Sequence, residues 1–330
     1  MWKIPVPKKF GGAGKSWWEY IAALEGLAST TTDFGLLLSM VAQVGAVRIL
    51  VNEGTDTQKE EYLPLLLKGA VASTALTEAG GGSDVGRIKT YGEKSDNGYF
   101  LNGTKSYITN APIADIIFCL GRLPELGYKK DITLFVLKRD YPGLSFGDAE
   151  NMMGNQSSPT GDIFLNDVAV SENNIMGKAG NGLSIVFDMV KLDRLSYGVV
   201  IAGFTEKILK MCMDYANIRE AFHTKIADKQ YVQQRITNIK IRMERSRYLS
   251  YAALQSTIDK KSDASMLASL VKLESTEGLV ETAKDLMLLH GHLGYISDFH
   301  TQVFKDAAGT VIAGGTSDIQ RINIFKHLQK

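Results

Sequence analysis

The chain has 330 residues, of which 45% are hydrophobic, so it is long enough to bury a large core and to divide into two or three structural regions. Its formal net charge of +1 argues against the strongly basic surface of a nucleic-acid-binding protein. Its two cysteines, Cys119 and Cys212, are too few for a disulfide framework or a cysteine metal cluster, so we expect a reducing compartment and no bound metal.

The N-terminal part, from Trp17 to about Leu67, predicts two or three helices because its apolar residues recur at helical spacing. The segment "GGAGKS" at 11–16 precedes them. A phosphate-binding P-loop needs a glycine five residues before its Gly-Lys pair, and that position is Lys9. We therefore expect a turn before the first helix.

The longest apolar stretch, "FGLLLSMVAQVGAVRILV" at 34–51, predicts a buried helix better than a membrane span, because it contains Gln43 and Arg48. The first ten residues hold no apolar run of signal-peptide length, and two prolines interrupt them. We expect no membrane span and a cytoplasmic location, either a bacterial cytosol or an organelle matrix.

The region between roughly 70 and 170 predicts a β domain, because short β-branched and aromatic runs alternate there with Gly, Asn, Asp and Pro. The Asn-Gly pairs at 97–98 and 102–103 predict hairpin turns. From about Gly182 to the end, long amphipathic stretches predict a helical bundle. The expected fold class is α+β, mainly α, in the order helix, sheet, helix.

Two motifs of the β region indicate a ligand. In "ALTEAGGGSD" at 75–84, three glycines allow close approach of the backbone, and exposed N–H groups suit a phosphate or a flavin edge. Taken alone, a flexible turn is an equal interpretation. The second motif, "NGTKSYITNA" at 102–111, follows about 25 residues later.

This pair resembles the flavin-binding motifs TEPGAGSD and NGxKxWITN of the acyl-CoA dehydrogenase family, with Ala79 for the usual proline and Tyr107 for the usual tryptophan. "EGTDTQKEEYLPLLLKG" at 53–69, "IREAF" at 218–222 and "DAAGTVIAGGTSDIQR" at 306–321 resemble further family elements. The resemblance is continuous from Pro5 onward. The family usually has some tens of residues before "FGG" at 10–12, so the N-terminal domain is expected to be shortened.

The resemblance implies an N-terminal helical domain over 1–72, a middle β-barrel-like domain over 73–172 and a C-terminal four-helix bundle over 173–330. It implies FAD as cofactor and a homodimer or homotetramer in which neighbouring subunits share the FAD site. The residues that it assigns to FAD are Leu76, Thr77, Gly82, Ser83, Tyr107, Thr109, Arg219, Phe222, Gln230, Leu288, His292, Thr316 and Asp318.

Besides Tyr107, three of these positions depart from the family. Leu288 replaces a glutamine and His292 a glycine in a QxxGG turn, and Asp318 stands where Gln or Glu is common. Because these changes alter the cofactor contacts, we expect weaker FAD binding. His292 either supplies a partly protonated ring near a phosphate or only fills the turn.

The family's reaction needs a carboxylate that removes the α-proton of an acyl thioester and donors that stabilise the developing enolate. Many members carry the glutamate just before the C-terminal Gly-Thr, but here that residue is Gly314. Its backbone N–H still matches the family's donor to the thioester oxygen. In the isovaleryl-CoA and long-chain branches the base precedes an Arg-Leu pair, and in "VKLDRLSYG" at 190–198 that position is Asp193.

Two interpretations of Asp193 stay open. As the base, its carboxylate lies about one methylene further back than that of glutamate, and a displacement of about 1 Å can cost on the order of a hundredfold in rate. Alternatively, Asp193 pairs with Arg194 or caps a neighbour on a solvated helix. Ser83, Lys191 and Arg194 match substrate-side positions, although the two cations also fit a solvated helix face.

The leading hypothesis is FAD-dependent dehydrogenation of a small or medium acyl thioester, carried on CoA or on an acyl carrier protein. Electron-transfer flavoprotein, the family's usual acceptor, is the expected redox partner. One alternative is a flavin oxidase or monooxygenase on the same fold. Another is a non-catalytic family member that acts as a subunit partner.

Overall fold

Two apolar runs, 116–120 and 132–137, form an antiparallel pair of strands in a seven-stranded sheet. The computed structural model describes residues 1–128 and 130–329. Among them the sheet strands are β1 (Ala72–Ala75), β2 (Tyr91–Ser95), β3 (Gly98–Thr109), β4 (Ile116–Arg122), β5 (Ile132–Lys138), β6 (Leu144–Phe146) and β7 (Thr160–Val170).

The strand order is β1-β4-β2-β3-β7-β6, and β5 pairs with β4 on a separate branch. Strands β1 and β4 are parallel, with Ala72 opposite Ile116. The long β3–β7 pair is antiparallel and contains two register shifts, between Leu101 and Gly103 and between Lys105 and Ile108. The second shift lies inside the motif at 102–111, next to Tyr107.

Both faces of the sheet are covered. One core contains Phe118 and Leu134 together with Val47 and Val186 from helices. The other core contains Cys119 and Phe135 from the same two strands, packed against Ile163 and other residues of the sheet. Strands that are buried on both faces read as continuous apolar runs, which explains "IIFCL" and "ITLFVL".

One of the two predicted hairpin turns is wrong. Strands β2 and β3 do turn at Asp96 and Asn97, since Ser95 pairs with Gly98. The second pair, Asn102 and Gly103, lies inside β3. Gly103 has φ +151°, and a Cβ at this position would lie 2.5 Å from Thr90 Oγ1. The glycine therefore permits a close approach of two backbones at a bulge rather than a turn.

The predicted helices flank the sheet in sequence. They are α1 (Trp17–Thr30), α2 (Phe34–Glu53), α3 (Asp56–Leu67), α4 (Gly182–Ile218), α5 (Gln230–Ile258), α6 (Ala264–His290), α7 (His292–Ile296), α8 (Asp298–Thr310) and α9 (Ser317–Leu328). A short hairpin, β8 (Glu220–Ala221) with β9 (Thr224–Lys225), connects α4 to α5. This order confirms the expected α+β class, with helices predominating.

Two compact units make up the chain. The sheet unit comprises Met1–Tyr20, Leu38–Asn151 and Ser158–Asp193, and the helical unit comprises Ile21–Leu37, Met152–Ser157 and Arg194–Lys330. The domain bounds 1–72, 73–172 and 173–330 stay a prediction. In the helical unit, Arg235 and Arg242 donate to the two carboxylate oxygens of Asp285 at 2.8 and 2.7 Å. This contact joins α5 to α6.

Helix α2 is the one described helix long and apolar enough to cross a membrane by length and composition. Of its most apolar window, 72% is buried inside the protein, as in a core helix. It therefore gives no strong indication of a span.

Both cysteines are free and buried. Burial raises the pKa of Cys119 to about 11 and that of Cys212 to about 12. The two thiols therefore stay protonated and unreactive near neutral pH. The described residues contain no group of three or more His, Cys, Asp or Glu side chains arranged to hold a metal ion.

Candidate active site

The glycine-rich loop of the sheet unit is fixed to strand β3 by a buried ion pair. Lys105 is fully buried, and its Nζ lies 2.9 Å from Glu78 Oε1. Glu78 also accepts hydrogen bonds from the N–H groups of Lys89 and Thr90 and from the Thr90 hydroxyl. The N–H of Ser106 donates to the Thr77 carbonyl at 2.9 Å. The start of the loop is therefore held against β3.

Glu78 is ionised over the whole physiological range. Burial alone raises its pKa, but the hydrogen bonds from Thr90 and Lys105 and from two backbone N–H groups outweigh burial and lower the pKa to about 2. A carboxylate that accepts this many donors stays charged and rigid. Its role is to hold the loop, since its oxygens are already occupied by these donors.

Tyr107 points out of the sheet because the strand is bulged. Its φ is +62°, and it lies at the register shift between Lys105 and Ile108. Lys105 and Ser106 are both buried, whereas the Tyr107 ring is 58% exposed. A bulge that re-aims one side chain is common beside binding sites. The aromatic face is therefore available to a planar ligand such as flavin.

The other predicted flavin contacts of the sheet unit lie after β1, at the end of β3 and in the glycine-rich loop. Leu76 and Thr77 follow β1 and are half-buried, and Thr109 ends β3 and is half-buried. Gly82 and Ser83 lie in the exposed part of the loop. The structure therefore joins the two motifs that the sequence separates by about 25 residues, through the Thr77–Ser106 hydrogen bond and the Glu78–Lys105 ion pair.

A pocket of about 380 Å³ opens in the helical unit between the end of α4 and the α6–α7 turn. Arg219 and Ile226 line one side, and Leu288, His290 and His292 line the other. The Arg219 side chain is exposed and has no side-chain hydrogen bond or ion pair among the described residues. A cationic rim on a pocket of this size suits one end of a dinucleotide.

Phe222 lies in the turn of the β8–β9 hairpin, and Gln230 is the first residue of α5. Both follow Arg219 in sequence within about ten residues. The Phe222 ring is 88% exposed and its φ is +54°. Leu288 is 53% exposed. Both apolar groups are therefore exposed, and their contacts to a neighbouring subunit and its cofactor stay a prediction.

His290, which lines the pocket, forms a buried pair with His300. The rings of His290 and His300 are 4.3 Å apart, and Tyr215 stacks on His290 at 4.3 Å. Burial lowers the pKa of His290, although its hydrogen bond with Leu286 opposes this effect. Burial, and then the charge of His290, lower the pKa of His300, whose ring nitrogens have no hydrogen-bond partner among the described residues. Both rings are therefore favoured in the neutral form.

We expect this pair to make the protein less stable below about pH 6.5, the ordinary pKa of histidine. Because the folded-state pKa values are lowered, the stability is complete above the unfolded pKa and is lost as the pH falls towards the folded values, by at most about 1.4 kcal/mol per pH unit per proton. His300→Phe should flatten this loss in melting curves between pH 5 and 8, and His327→Gln, on α9, should not. Equal losses in both variants would contradict the assignment.

The Gly314 turn lies between α8 and α9 in the helical unit. Gly314 and Gly315 have φ values of +68° and +93°, which favour glycine. A Cβ at position 314 would lie 3.4 Å from Tyr197 Cε2. Thr316 caps α9 by accepting a hydrogen bond from the N–H of Ile319. This turn therefore carries no carboxylate, and its two glycines have left-handed backbone conformations.

Arg194 lies beside this turn, and Asp318 follows it. The Arg194 Nη1 donates to Ser269 Oγ at 3.2 Å, and its Nη2 would lie 3.5 Å from a Cβ at Gly315. Asp318 is largely exposed in the first turn of α9 and lies 3.5 Å from Arg321. Arg194 is half-buried with its guanidinium packed against the turn, and its role as a substrate contact stays a prediction.

Asp193, in the sheet unit, is the last residue of that unit in α4. Its Oδ1 is buried, and a Cβ at Gly45 would lie 3.1 Å from that oxygen. Tyr20 is fully buried, and its hydroxyl has no hydrogen-bond partner among the described residues. Burial, and then the charge of Asp193, raise the pKa of Tyr20. The Oδ1 of Asp193 therefore lies close to α2, and the residue as a whole is half-buried.

Lys191 forms a surface ion pair on the same helix. Its Nζ donates to Asp188 Oδ1 at 3.1 Å, and Arg48 holds the other oxygen of Asp188 at 2.9 Å. Lys191 is half-buried. The structure therefore gives Lys191 a protein partner that sequence reasoning did not foresee.

Family sequence models match nearly the whole chain. The acyl-CoA dehydrogenase N-terminal domain matches residues 1–70, the middle domain residues 73–168 and the C-terminal domain residues 180–329. The chain belongs to the acyl-CoA dehydrogenase family. The predicted resemblance and fold are thereby confirmed.

Similar proteins cover almost the full length. The acyl-CoA dehydrogenase of Bacillus subtilis (strain 168) is 32% identical over 328 residues, which are 98% of this chain and 86% of that protein. The crystal structure of an FAD-dependent dehydrogenase is 31% identical, with a TM-score of 0.95 over 99% of this chain and 89% of that one. The prolyl acyl carrier protein oxidase AnaB is 31% identical, with a TM-score of 0.96 over 100% and 88%.

This acyl-CoA dehydrogenase family member is an FAD-dependent oxidoreductase that acts on CH–CH bonds of acyl thioesters. Family members use acyl-CoA substrates and form oligomers. The chain's own residues fit FAD: the exposed Tyr107 ring suits the flavin, and the open pocket edged by Arg219 suits the pyrophosphate end.

Two buried lysines near the candidate site are not indicated by the sequence motifs. Lys105 was not singled out, although its inward position in β3 was available from the alternation of the strand. Lys272, on α6, was also missed, because a lysine in an apolar helical stretch is normally on the surface. It lies beside the Gly314 turn, where a Cβ at Gly314 would be 3.7 Å from Lys272 Cε.

Proposed function

We propose that this protein introduces a Cα–Cβ double bond into a small or medium acyl thioester carried on CoA or on an acyl carrier protein, with Asp193 as the base. The observation that supports this assignment is the contrast between two positions. Gly314 has a left-handed backbone and no side chain, whereas Asp193 has a buried carboxylate oxygen. The chain therefore lacks an acid at position 314 and has one at position 193, which is the arrangement of the isovaleryl-CoA and long-chain branches.

In this proposal Asp193 removes the α-proton, and the Gly314 N–H donates a hydrogen bond to the thioester oxygen as negative charge develops there. The hydride that leaves the β-carbon would have bound FAD as its acceptor. The products are the α,β-unsaturated thioester, the two-electron-reduced cofactor and one proton on the carboxylate. Burial of the Asp193 Oδ1 limits the access of water to that oxygen.

The proposed cofactor contacts divide into two sets. Leu76, Thr77, Gly82, Ser83, Tyr107 and Thr109 would bind the flavin end within one subunit. Arg219, Phe222, Gln230, Leu288 and His292 would bind the pyrophosphate and adenine end of a neighbouring subunit's FAD, with Thr316 and Asp318 near the diphosphate. The exposure of Phe222 and Leu288 supports contacts to a neighbour in a homodimer or homotetramer. Ser83, Lys191 and Arg194 are the proposed substrate contacts.

Anaerobic bleaching of the holoenzyme tests cofactor, reaction and substrate together. The panel comprises acyl-CoA thioesters and acyl carrier protein thioesters of graded chain length. We expect rapid loss of flavin absorbance with the true substrate class and recovery on adding electron-transfer flavoprotein. A holoenzyme that no acyl thioester bleaches would refute the proposal.

A second candidate, an oxidase acting on a carrier-bound acyl group, is favoured by one observation: AnaB, named a prolyl acyl carrier protein oxidase, is 31% identical over the whole chain. The reaction of the substrate-reduced holoenzyme with air separates the two. Slow reoxidation supports the dehydrogenase, and rapid reoxidation with stoichiometric hydrogen peroxide supports the oxidase.

A further inference from the structure

Lys272 is a fully buried lysine that the proposed reaction does not use. Its Nζ donates to the carbonyl of Thr310 at 2.7 Å, at the end of α8. Among the described residues it forms no ion pair. Lysine is almost never fully buried without a charged partner, because desolvating the ammonium is costly. A specific local role would explain its retention here.

The surroundings of Lys272 come from three helices. The Tyr197 ring of α4 lies 5.3 Å from Nζ, which is within range of a cation–π contact. Burial, and then the charge of Arg194, lower the pKa of Lys272 to about 7, while Glu277 raises it. In either protonation state the amine retains an N–H for the Thr310 carbonyl.

Lys272 also lies against the bare side of Gly314. A Cβ there would lie 3.7 Å from Lys272 Cε and 3.4 Å from Tyr197 Cε2. The two side chains therefore cover the face from which a family glutamate would extend. Thr310, which Lys272 holds, is four residues before Gly314.

The other end of the turn is held as well. Gln320 Nε2 donates to the Gly315 carbonyl at 2.8 Å, and the N–H of Ser317 donates to the Val311 carbonyl. Two consecutive glycines in left-handed conformations have little rigidity of their own. Their orientation must therefore be fixed by contacts from outside the turn, and Lys272 supplies the one at its beginning.

We propose that Lys272 is a positioning residue that fixes the direction of the Gly314 N–H, and with it the hydrogen bond to the thioester oxygen. This inference rests on the proposed function, in which that N–H is the donor. Lys272 acts through the turn and does not touch the substrate. A donor misplaced by about 1 Å costs on the order of a hundredfold in rate, so a buried lysine devoted to its placement has a large effect.

The experiment compares four holoenzymes: wild type, Lys272→Met, Lys272→Arg and Lys284→Met. Lys272→Met keeps the length and removes the donor, and Lys272→Arg restores a donor. Lys284 is an exposed residue of the same helix and serves as the control. The probe is acetoacetyl-CoA or the corresponding pantetheine thioester, whose acidic α-proton makes its enolate visible by absorbance without help from a base.

We expect wild type to lower the pKa of the bound probe, and Lys272→Met to raise it again by about one unit, a tenfold loss of enolate stabilisation. The same variant should lower kcat by about tenfold to a hundredfold with little change in KM, because the donor acts mainly in the transition state. Lys272→Arg should recover part of both, and Lys284→Met should match wild type.

A lower melting temperature in Lys272→Met with unchanged probe pKa and kcat would overturn the inference and leave Lys272 a purely structural residue. If Lys272→Met does not fold, Lys272→Gln takes its place, because its shorter side chain withdraws the donor from the Thr310 carbonyl; a probe pKa and kcat equal to wild type in Lys272→Gln would overturn the inference. Failure of wild type itself to lower the pKa of the probe would instead refute the proposed function.

Discussion

Asp193→Asn should leave FAD bound and almost abolish turnover. The amide is nearly isosteric with the carboxylate but accepts no proton, so the rate of α-proton removal should fall by at least about a hundredfold to ten-thousandfold. Asp193→Glu retains a carboxylate and should retain measurable turnover. The measurement is the single-turnover rate of flavin bleaching, with the visible spectrum of the oxidised flavin as proof of cofactor content.

Asp214→Asn provides the matched control, since Asp214 is an exposed acid on the same helix whose carboxylate pairs with Lys210. It should bleach at the wild-type rate. The alternative interpretation, in which Asp193 only pairs with a neighbouring side chain, makes the opposite forecast. In that case Asp193→Asn would lower the melting temperature and retain turnover, and the base would have to be sought elsewhere.

The second large effect is on stability. Glu78→Gln should destabilise the protein by about 3–5 kcal/mol, because it leaves the fully buried Lys105 without its counter-charge. The double variant Glu78→Gln with Lys105→Met removes both charges and should recover much of the loss. The measurement is the free energy of unfolding in urea, with Glu93→Gln, on the exposed side of β2, as the control.

The same pair has a pH signature. The pKa of Glu78 is lowered to about 2 in the folded protein, against an ordinary value of about 4.3 for the unfolded chain. Its contribution is therefore present above about pH 4.3 and is lost as the pH falls towards 2. Glu78→Gln should lack this component of the acid loss, and an acid profile identical to wild type would contradict the ion-pair account.

The sequence predicted the order of elements because each region carries one clear periodicity. The runs at 116–120 and 132–137 have no polar face, and both strands are buried on two sides. The sequence predicts a turn at Asn102 and Gly103 because an Asn-Gly pair usually forms one, but a glycine is also needed where another segment packs closely against a strand. Here Thr90 packs against Gly103, and the local sequence around Gly103 does not indicate this contact.

The sequence indicates the motif residues of the candidate site but not the contacts that depend on packing. Motif residues such as Thr77 and Tyr107 were found because their order and spacing match a family pattern. The partners of Lys191 and Arg194 were not found, since Asp188 and Ser269 become neighbours only through helix geometry or packing. Lys272 was missed because no composition rule marks a lysine as buried.

The two cores of the sheet unit share two strands, since β4 and β5 supply Phe118 and Leu134 to one core and Cys119 and Phe135 to the other. Neither core can unfold alone, because the loss of β4 or β5 from the sheet exposes the side chains of both cores. The sheet unit should therefore unfold as one cooperative block, and damage to one face should be transmitted to the glycine-rich loop through β1, which is paired to β4.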